Sequence, residues 1–327
     1  MGERIDAYSH VITADVLDKL ESVNPDRVQA ARDKPHLRDI DKRLDDLEEF
    51  GVDRQVLTLA APYLWHGADP EDVIDIARFA NDEVHRIAQE HPDRFVPVAT
   101  LPFLTGEYVD EFERCIEDLD MAGVQIFSHV NGRFLDDPEF DDFYAAVDRA
   151  EVPIWIHPQN YNWHDYDKDD EWIYRMFGWP FETNIAVARL VFNGILDKYE
   201  NLEIVTHHYG GTIPHLKERM MSRVERQIDS PEHDRIGVTS LSQPVETYFE
   251  RIYGDTGVSS QGETHTLECG YEFFGPENTL FAADYPYGAE GGRYWLKHQI
   301  PAIEAMDIPA EEKEMIFSEN VAELLDL

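Results

Sequence analysis

Ile154-Trp155-Ile156-His157-Pro158 is the stretch that decides the fold. Three apolar, strand-favouring residues lead into an imidazole, and the proline behind it helps to end the strand there. Three other stretches share this design: Ile5-Asp6-Ala7-Tyr8-Ser9-His10, Ile204-Val205-Thr206-His207-His208 and Leu280-Phe281-Ala282-Ala283-Asp284. Each is an apolar, strand-like run that ends in a side chain able to bind a metal or handle a proton. Side chains of this kind at the ends of separate strands point to one site on the carboxyl-end face of a parallel barrel.

Working outward, similar runs recur along the whole chain. Candidate strands are Ile5–Ala7, Gln55–Leu59, Phe95–Thr100, Gly123–Phe127, Pro153–His157, Glu203–His207, Arg251–Gly254 and Thr279–Ala283. Helical patterns lie between most of them: Ile74–His91, Phe143–Ala150 and Ile185–Tyr199. Repeated strand–helix units imply right-handed crossovers and a parallel sheet. Eight such units favour a closed (β/α)8 TIM barrel, of α/β class, as one domain over residues 1–327. Two insertions, near 159–181 and 212–246, leave the face of the proposed site and are candidate substrate walls or subunit contacts.

Composition narrows the partners. The net charge is -39, from 67 acidic and 28 basic residues. Repulsion from phosphates excludes nucleic acid and anionic membrane surfaces as natural partners. Only 8 of the basic residues are lysine, and a uniformly acidic, lysine-poor surface resembles that of salt-adapted cytoplasmic proteins. No window of 18 uncharged apolar residues is present, and the N-terminus lacks the basic and apolar regions of a secretory signal, so a cytoplasmic protein is expected. Cys115 and Cys269 form no CxxC pair and read as small buried apolar residues. Gly210-Gly211 is too short for a dinucleotide fingerprint, which argues against NAD or ATP.

Taken one at a time, His10, His157 and Asp284 have ordinary explanations. A histidine after an apolar run is more often packed or hydrogen-bonded, and an aspartate there is more often a turn former. Their agreement changes the reading, because they fall on the first, fifth and eighth strands, and strands one and eight are neighbours in a closed barrel. Of His207 and His208, alternation along a strand allows one to face the mouth, with the other packed behind it. A histidine beside a metal suits proton transfer near pH 7. The fourth strand ends Gln125-Ile126-Phe127-Ser128-His129 without a lysine, which favours one metal ion over two.

Several stretches together resemble the aminocarboxymuconate-semialdehyde decarboxylase branch of the amidohydrolase superfamily (amidohydrolase family 2). They are Gly123-Val124-Gln125-Ile126 with His129-Val130-Asn131, Val152–Pro158, Pro180 with Glu182-Thr183, His208-Tyr209-Gly210-Gly211 through Pro214 to Arg219, Asp284-Tyr285-Pro286, and the closing Glu319–Leu325. The resemblance implies a (β/α)8 barrel with one divalent ion, zinc before manganese, held by His10, His157 and Asp284. It makes His208 the acid or base and leaves His207 structural. It makes Arg219 and Arg43 the carboxylate holders, with Arg219 reaching a neighbouring subunit's site in a homodimer. Tyr8 departs from the pattern, since that position is His in the semialdehyde decarboxylases and Glu in aromatic-acid decarboxylases. A neutral phenol is a poor ligand; Tyr8 either ligates with its pKa lowered by the metal or lines the pocket.

The reading that follows is a metal-dependent decarboxylase of an unsaturated or aromatic carboxylic acid. A hydrolase of a lactone, ester, amide or carbon–carbon bond on the same scaffold is the alternative. A barrel that lost its chemistry through Tyr8 is the second alternative.

Overall fold

A computed structural model describes residues 2–60, 64–65, 68–159, 173–234 and 236–327. Its barrel strands are β1 (Ile5–Val11), β2 (Arg54–Leu59), β3 (Phe95–Pro97, continued by Ala99–Thr100), β4 (Val124–Phe127), β5 (Ile154–His157), β6 (Ile204–Thr206), β7 (Ile252–Asp255) and β8 (Thr279–Leu280). β1, β2 and the first part of β3 pair in parallel, and the second part of β3 pairs onward through β8. Main-chain bonds close the seams. Val98 N donates to Leu57 O at 3.0 Å, and Ala122 N to Pro97 O at 2.9 Å. Between β1 and the chain beyond β8, Ala7 N donates to Phe281 O at 2.8 Å and His10 N to Tyr285 O at 2.7 Å. The result is the closed (β/α)8 barrel that the strand–helix alternation requires.

The strands read as continuous apolar runs because both of their faces are covered. Inside the barrel lie Ile5, Ala7, Val56, Val98, Trp155, Val205 and Leu280. A larger core fills the layer between strands and helices. The helix Pro70–Glu90 shows how that layer is built. It buries Val73, Ile74, Ala77, Ala80, Val84, Ile87 and Ala88 at spacings of three and four, the stripe that a helix lays on a sheet. Truncating Ile87 to Ala there costs about 2–5 kcal/mol, from lost transfer energy and the cavity left behind.

Several elements differ from the sequence reading; β8, for one, ends at Leu280 rather than Ala283. β6 stops at Thr206 rather than His207. The chain then runs through left-handed backbone at His208 (φ 53°), Tyr209 (φ 52°), Gly210 (φ 64°) and Gly211 (φ 70°). Glycine is required at 211, where a Cβ would sit 2.2 Å from the Pro180 carbonyl oxygen. The helix expected over Ile185–Tyr199 is two helices, Trp179–Phe192 and Ile195–Lys198, parted at left-handed Gly194. In the first insertion, 160–172 lies outside the described residues. The second opens on the helix Ile213–Asp229. Among the described residues, no helix is long and apolar enough to cross a membrane.

Candidate metal centre

The site begins with an irregularity in β1, where the register against β2 shifts between Asp6 and Ser9. Asp6 holds it. Its Oδ1 accepts from the main-chain nitrogens of Tyr8 (3.3 Å) and Ala283 (3.1 Å), and its Oδ2 from Gln55 Nε2 (2.8 Å). Burial raises this carboxyl to about 7 despite those bonds. Tyr8 and His10, two residues apart, share a face and lie with ring centroids 5.2 Å apart.

Three imidazoles meet at the mouth: His10 from β1, His157 from β5 and His207 from the turn after β6. Ligand-type nitrogens of the three lie within 4.8 Å of one another. Each has its Nδ1 tied to a neighbour. His10 Nδ1 meets Thr58 Oγ1 at 2.8 Å, while that hydroxyl donates to the Ser9 carbonyl. His157 Nδ1 meets the Pro158 carbonyl at 2.7 Å, and His207 Nδ1 meets Asp255 Oδ2 at 2.6 Å. These partners accept, so each Nδ1 carries a proton and each Nε2 turns inward, where an ion would displace any proton it holds. Asp284 completes the group. Its Oδ1 lies 3.1 Å from His10 Nε2 and 3.4 Å from His207 Nε2. Both of these nitrogens are buried without an aligned hydrogen-bond partner among the described residues.

The donors fit a divalent ion. Ligands about 2.0–2.1 Å from zinc at tetrahedral angles lie about 3.3 Å from each other, close to the two separations around Asp284. Histidines whose other nitrogen is held by a carboxylate, hydroxyl or carbonyl have the usual outer support of metal ligands. The electrostatics agree. Burial pushes His10 down and, joined by the charge on His207, pushes His157 well below the ordinary range. Burial opposes ionisation of Asp284, yet His10 and His207 hold its carboxyl far below normal. At His207, burial is overcome by Asp255 and then Asp284, which raise it to about 9. The two carboxylates therefore call for a cation at this point.

The Tyr8 hydroxyl is engaged on the barrel wall. It donates to Gln125 Oε1 at 2.9 Å, and Gln125 Nε2 donates onward to Leu59 O and Thr100 Oγ1. Burial, then Asp255 and Asp284, raise the pKa of Tyr8 well above 10. Its ring packs 4.3 Å from that of His207.

His207 and His208 both face the pocket, contrary to strand alternation. The strand has already ended, and the left-handed step at His208 brings its ring back to stack on His207 with centroids 3.6 Å apart. His208 Nδ1 faces the Gly257 carbonyl at 2.9 Å. Burial and the charge on His207 lower it to about 4, so it is neutral near pH 7.

A cavity of about 1080 Å³ opens above the cluster, lined by His157, His207, His208 and Asp284. Neither arginine of the sequence reading lines it. Arg43 is fully buried behind β1, where it donates to Gln55 Oε1 (3.0 Å), Ser9 Oγ (3.4 Å) and the His10 carbonyl. It braces the backbone of a candidate ligand. Arg219 is exposed on the helix Ile213–Asp229. The cations on the pocket wall are instead Lys34 and Arg175, beside His36 and His215. Cys115 is buried as expected, but Cys269 is exposed and lines the pocket.

Asp255 escaped the sequence reading. Its Oδ2 holds His207, while its Oδ1 accepts from the main-chain nitrogens of His208 (3.0 Å) and Gly257 (2.8 Å). The signal was present, because Arg251-Ile252-Tyr253-Gly254 leads into this aspartate just as the other runs lead into theirs.

A parallel barrel that gathers imidazoles and a carboxylate from separate strand ends beneath one cavity defines a class, the metal-binding barrel enzymes. Within that class the chain belongs to the amidohydrolase family, whose description matches residues 5–327. It is 29% identical over 253 residues to 2-amino-3-carboxymuconate-6-semialdehyde decarboxylase of Dictyostelium discoideum, covering 76% of this chain and 67% of that protein. It is 28% identical over 305 residues to gamma-resorcylate decarboxylase of Rhodococcus jostii, covering 88% and 87%. The solved 5-carboxyvanillate decarboxylase of Novosphingobium aromaticivorans, complexed with manganese, shares the fold at 24% identity and a TM-score of 0.86, covering 100% of this chain and 96% of that one.

Proposed function

We infer that this protein is a metal-dependent decarboxylase of an aromatic or similarly unsaturated carboxylic acid. The observation that carries the reading is the clustering of His10, His157, His207 and Asp284 beneath a cavity large enough for such an acid. Its relatives act on carboxylic acids of that kind. We assign His10, His157 and Asp284 as ligands. When bound, a divalent ion supplies a Lewis acid that polarises a substrate oxygen. The rest of the chemistry belongs to the chain. His208, neutral and fixed through Nδ1 by Gly257, presents Nε2 as the atom that takes up a proton. It gives that proton to the carbon from which the carboxylate departs as CO2. Lys34 and Arg175 supply positive charge on the pocket wall against the acidic background of the chain.

Zinc suits this set, because imidazole with one carboxylate and an open position is its usual catalytic environment. Manganese, held by the Novosphingobium aromaticivorans enzyme, is the competing ion. Arg219, exposed and outside its own cavity, supports a homodimer in which it serves the partner's site. The acidic, lysine-poor composition supports a protein that works in the cytoplasm at high salt.

The test is CO2 release from a panel of 2,6-dihydroxybenzoate, 6-methylsalicylate, 5-carboxyvanillate and aminocarboxymuconate semialdehyde, with zinc- and manganese-loaded protein. Release from at least one acid, abolished by chelator, is the expected result. Hydrolysis of a lactone or ester with no CO2 from any acid would overturn it.

A further inference from the structure

Tyr8 leaves β1 with one donor, His10, yet three imidazoles still converge. We propose that His207 is a fourth protein ligand of the divalent ion, supplied by the turn after β6 in place of a donor at position 8. The inference rests on the metal-dependent reading of the site, though not on decarboxylation.

Four observations carry it. The Tyr8 hydroxyl is committed to Gln125, whose other end is bonded to Leu59 and Thr100, so the phenol is held away from donor duty. His207 Nε2 is buried and has no aligned hydrogen-bond partner among the described residues, a state shared with His10 Nε2. The same Asp284 Oδ1 faces both nitrogens, at 3.1 and 3.4 Å, so the two imidazoles address one point. Finally, Asp255 on His207 Nδ1 is the carboxylate–imidazole support that orients metal-bound histidines. A residue that merely packed behind the site would have its Nε2 satisfied or its ring turned outward. Four protein donors would fill a tetrahedral zinc, so a substrate oxygen would have to join as an additional ligand, as in catalytic zinc sites that expand their coordination. His208, one residue on, also has a ligand-type nitrogen near those of His207 and Asp284; its Nε2 is the atom assigned above to proton transfer.

The experiment counts coordinated imidazoles in the full chain. Co2+ is loaded, and the exchangeable imidazole N–H signals shifted by the paramagnetic ion are counted by proton NMR in water. Hydrogen bonds to Thr58, Pro158 and Asp255 protect these protons, so three signals are expected. His207→Gln is expected to lose one signal and to weaken Zn2+ binding about 10–100-fold in competition with a chromophoric chelator. Tyr8→Phe is expected to leave both the count and the affinity unchanged. Two signals in the unaltered protein, undiminished affinity in His207→Gln, or loss of affinity in Tyr8→Phe overturns the proposal. Should His207→Gln not fold, the count in the unaltered protein decides. An ion held by two imidazoles overturns this ligand alone, whereas failure to take up any ion overturns the metal-dependent reading with it.

Discussion

The ends of β1 and β6 solve one problem in opposite ways. β1 presents Tyr8 and His10 two residues apart on regular strand spacing, and only His10 offers a free nitrogen toward the cluster. β6 presents His207 and His208 in sequence, which a strand would send to opposite faces. Left-handed backbone at His208 and Tyr209 brings both rings to the same side. A strand end can aim one side chain well. A turn beyond the strand can aim two, provided that something fixes the turn, and here Asp255 and Gly211 do so.

Changes at either end can break this comparison. The largest expected effect is from His208→Ala, which should lower turnover by about a hundredfold to ten-thousandfold, the usual contribution of a positioned proton-transfer group. Metal content should not change; turnover that survives at the original rate removes His208 from the chemistry. Asp255→Asn comes next. Loss of the carboxylate behind His207 should weaken metal binding about 10–100-fold, read by chelator competition. It should also lower kcat, because the same side chain fixes the His208 main chain.

At the β1 end, Tyr8→Phe strands the buried Gln125 Oε1 without its donor. It should cost about 1–3 kcal/mol in denaturant unfolding while metal affinity holds. The smallest effect concerns Asp6. Its carboxyl is raised to about 7 in the folded protein against 3.8 for the ordinary group. The stability it confers is therefore fully present below pH 3.8 and is lost as pH rises through 7. Asp6→Asn should flatten that decline in unfolding curves taken between pH 4 and 8. An unchanged slope would mean that Asp6 is ionised throughout.

The barrel was legible because its strands are buried on both faces and so read as unbroken apolar runs bounded by polar ends. His10 and His157 lie on such runs, whereas Asp284 falls beyond β8, in left-handed backbone (φ 51°). What was not legible came from backbone outside regular structure. Alternation placed one of the paired histidines behind the site because it assumes that the strand continues. Nothing in His208-Tyr209 announces two consecutive non-glycine residues at positive φ, a conformation imposed by the surrounding packing. Asp255 was missed by a boundary drawn one residue short. Arg43 was read as a carboxylate holder. It is fully buried, because the inner face of the helix Ile40–Phe50 carries Arg43 and Asp46 into the core.

Asp255 grips His207 with one oxygen and the main chain of His208 with the other. A displacement of this mount would carry both rings together, so their separation survives motions that would misalign parts fixed to different strands. The arrangement resembles a lens and detector bolted to one plate: vibration of the plate shifts the image in the room but not on the detector. It also makes the two histidines a poor target for piecemeal change, since a substitution that retunes one through its support moves the other as well.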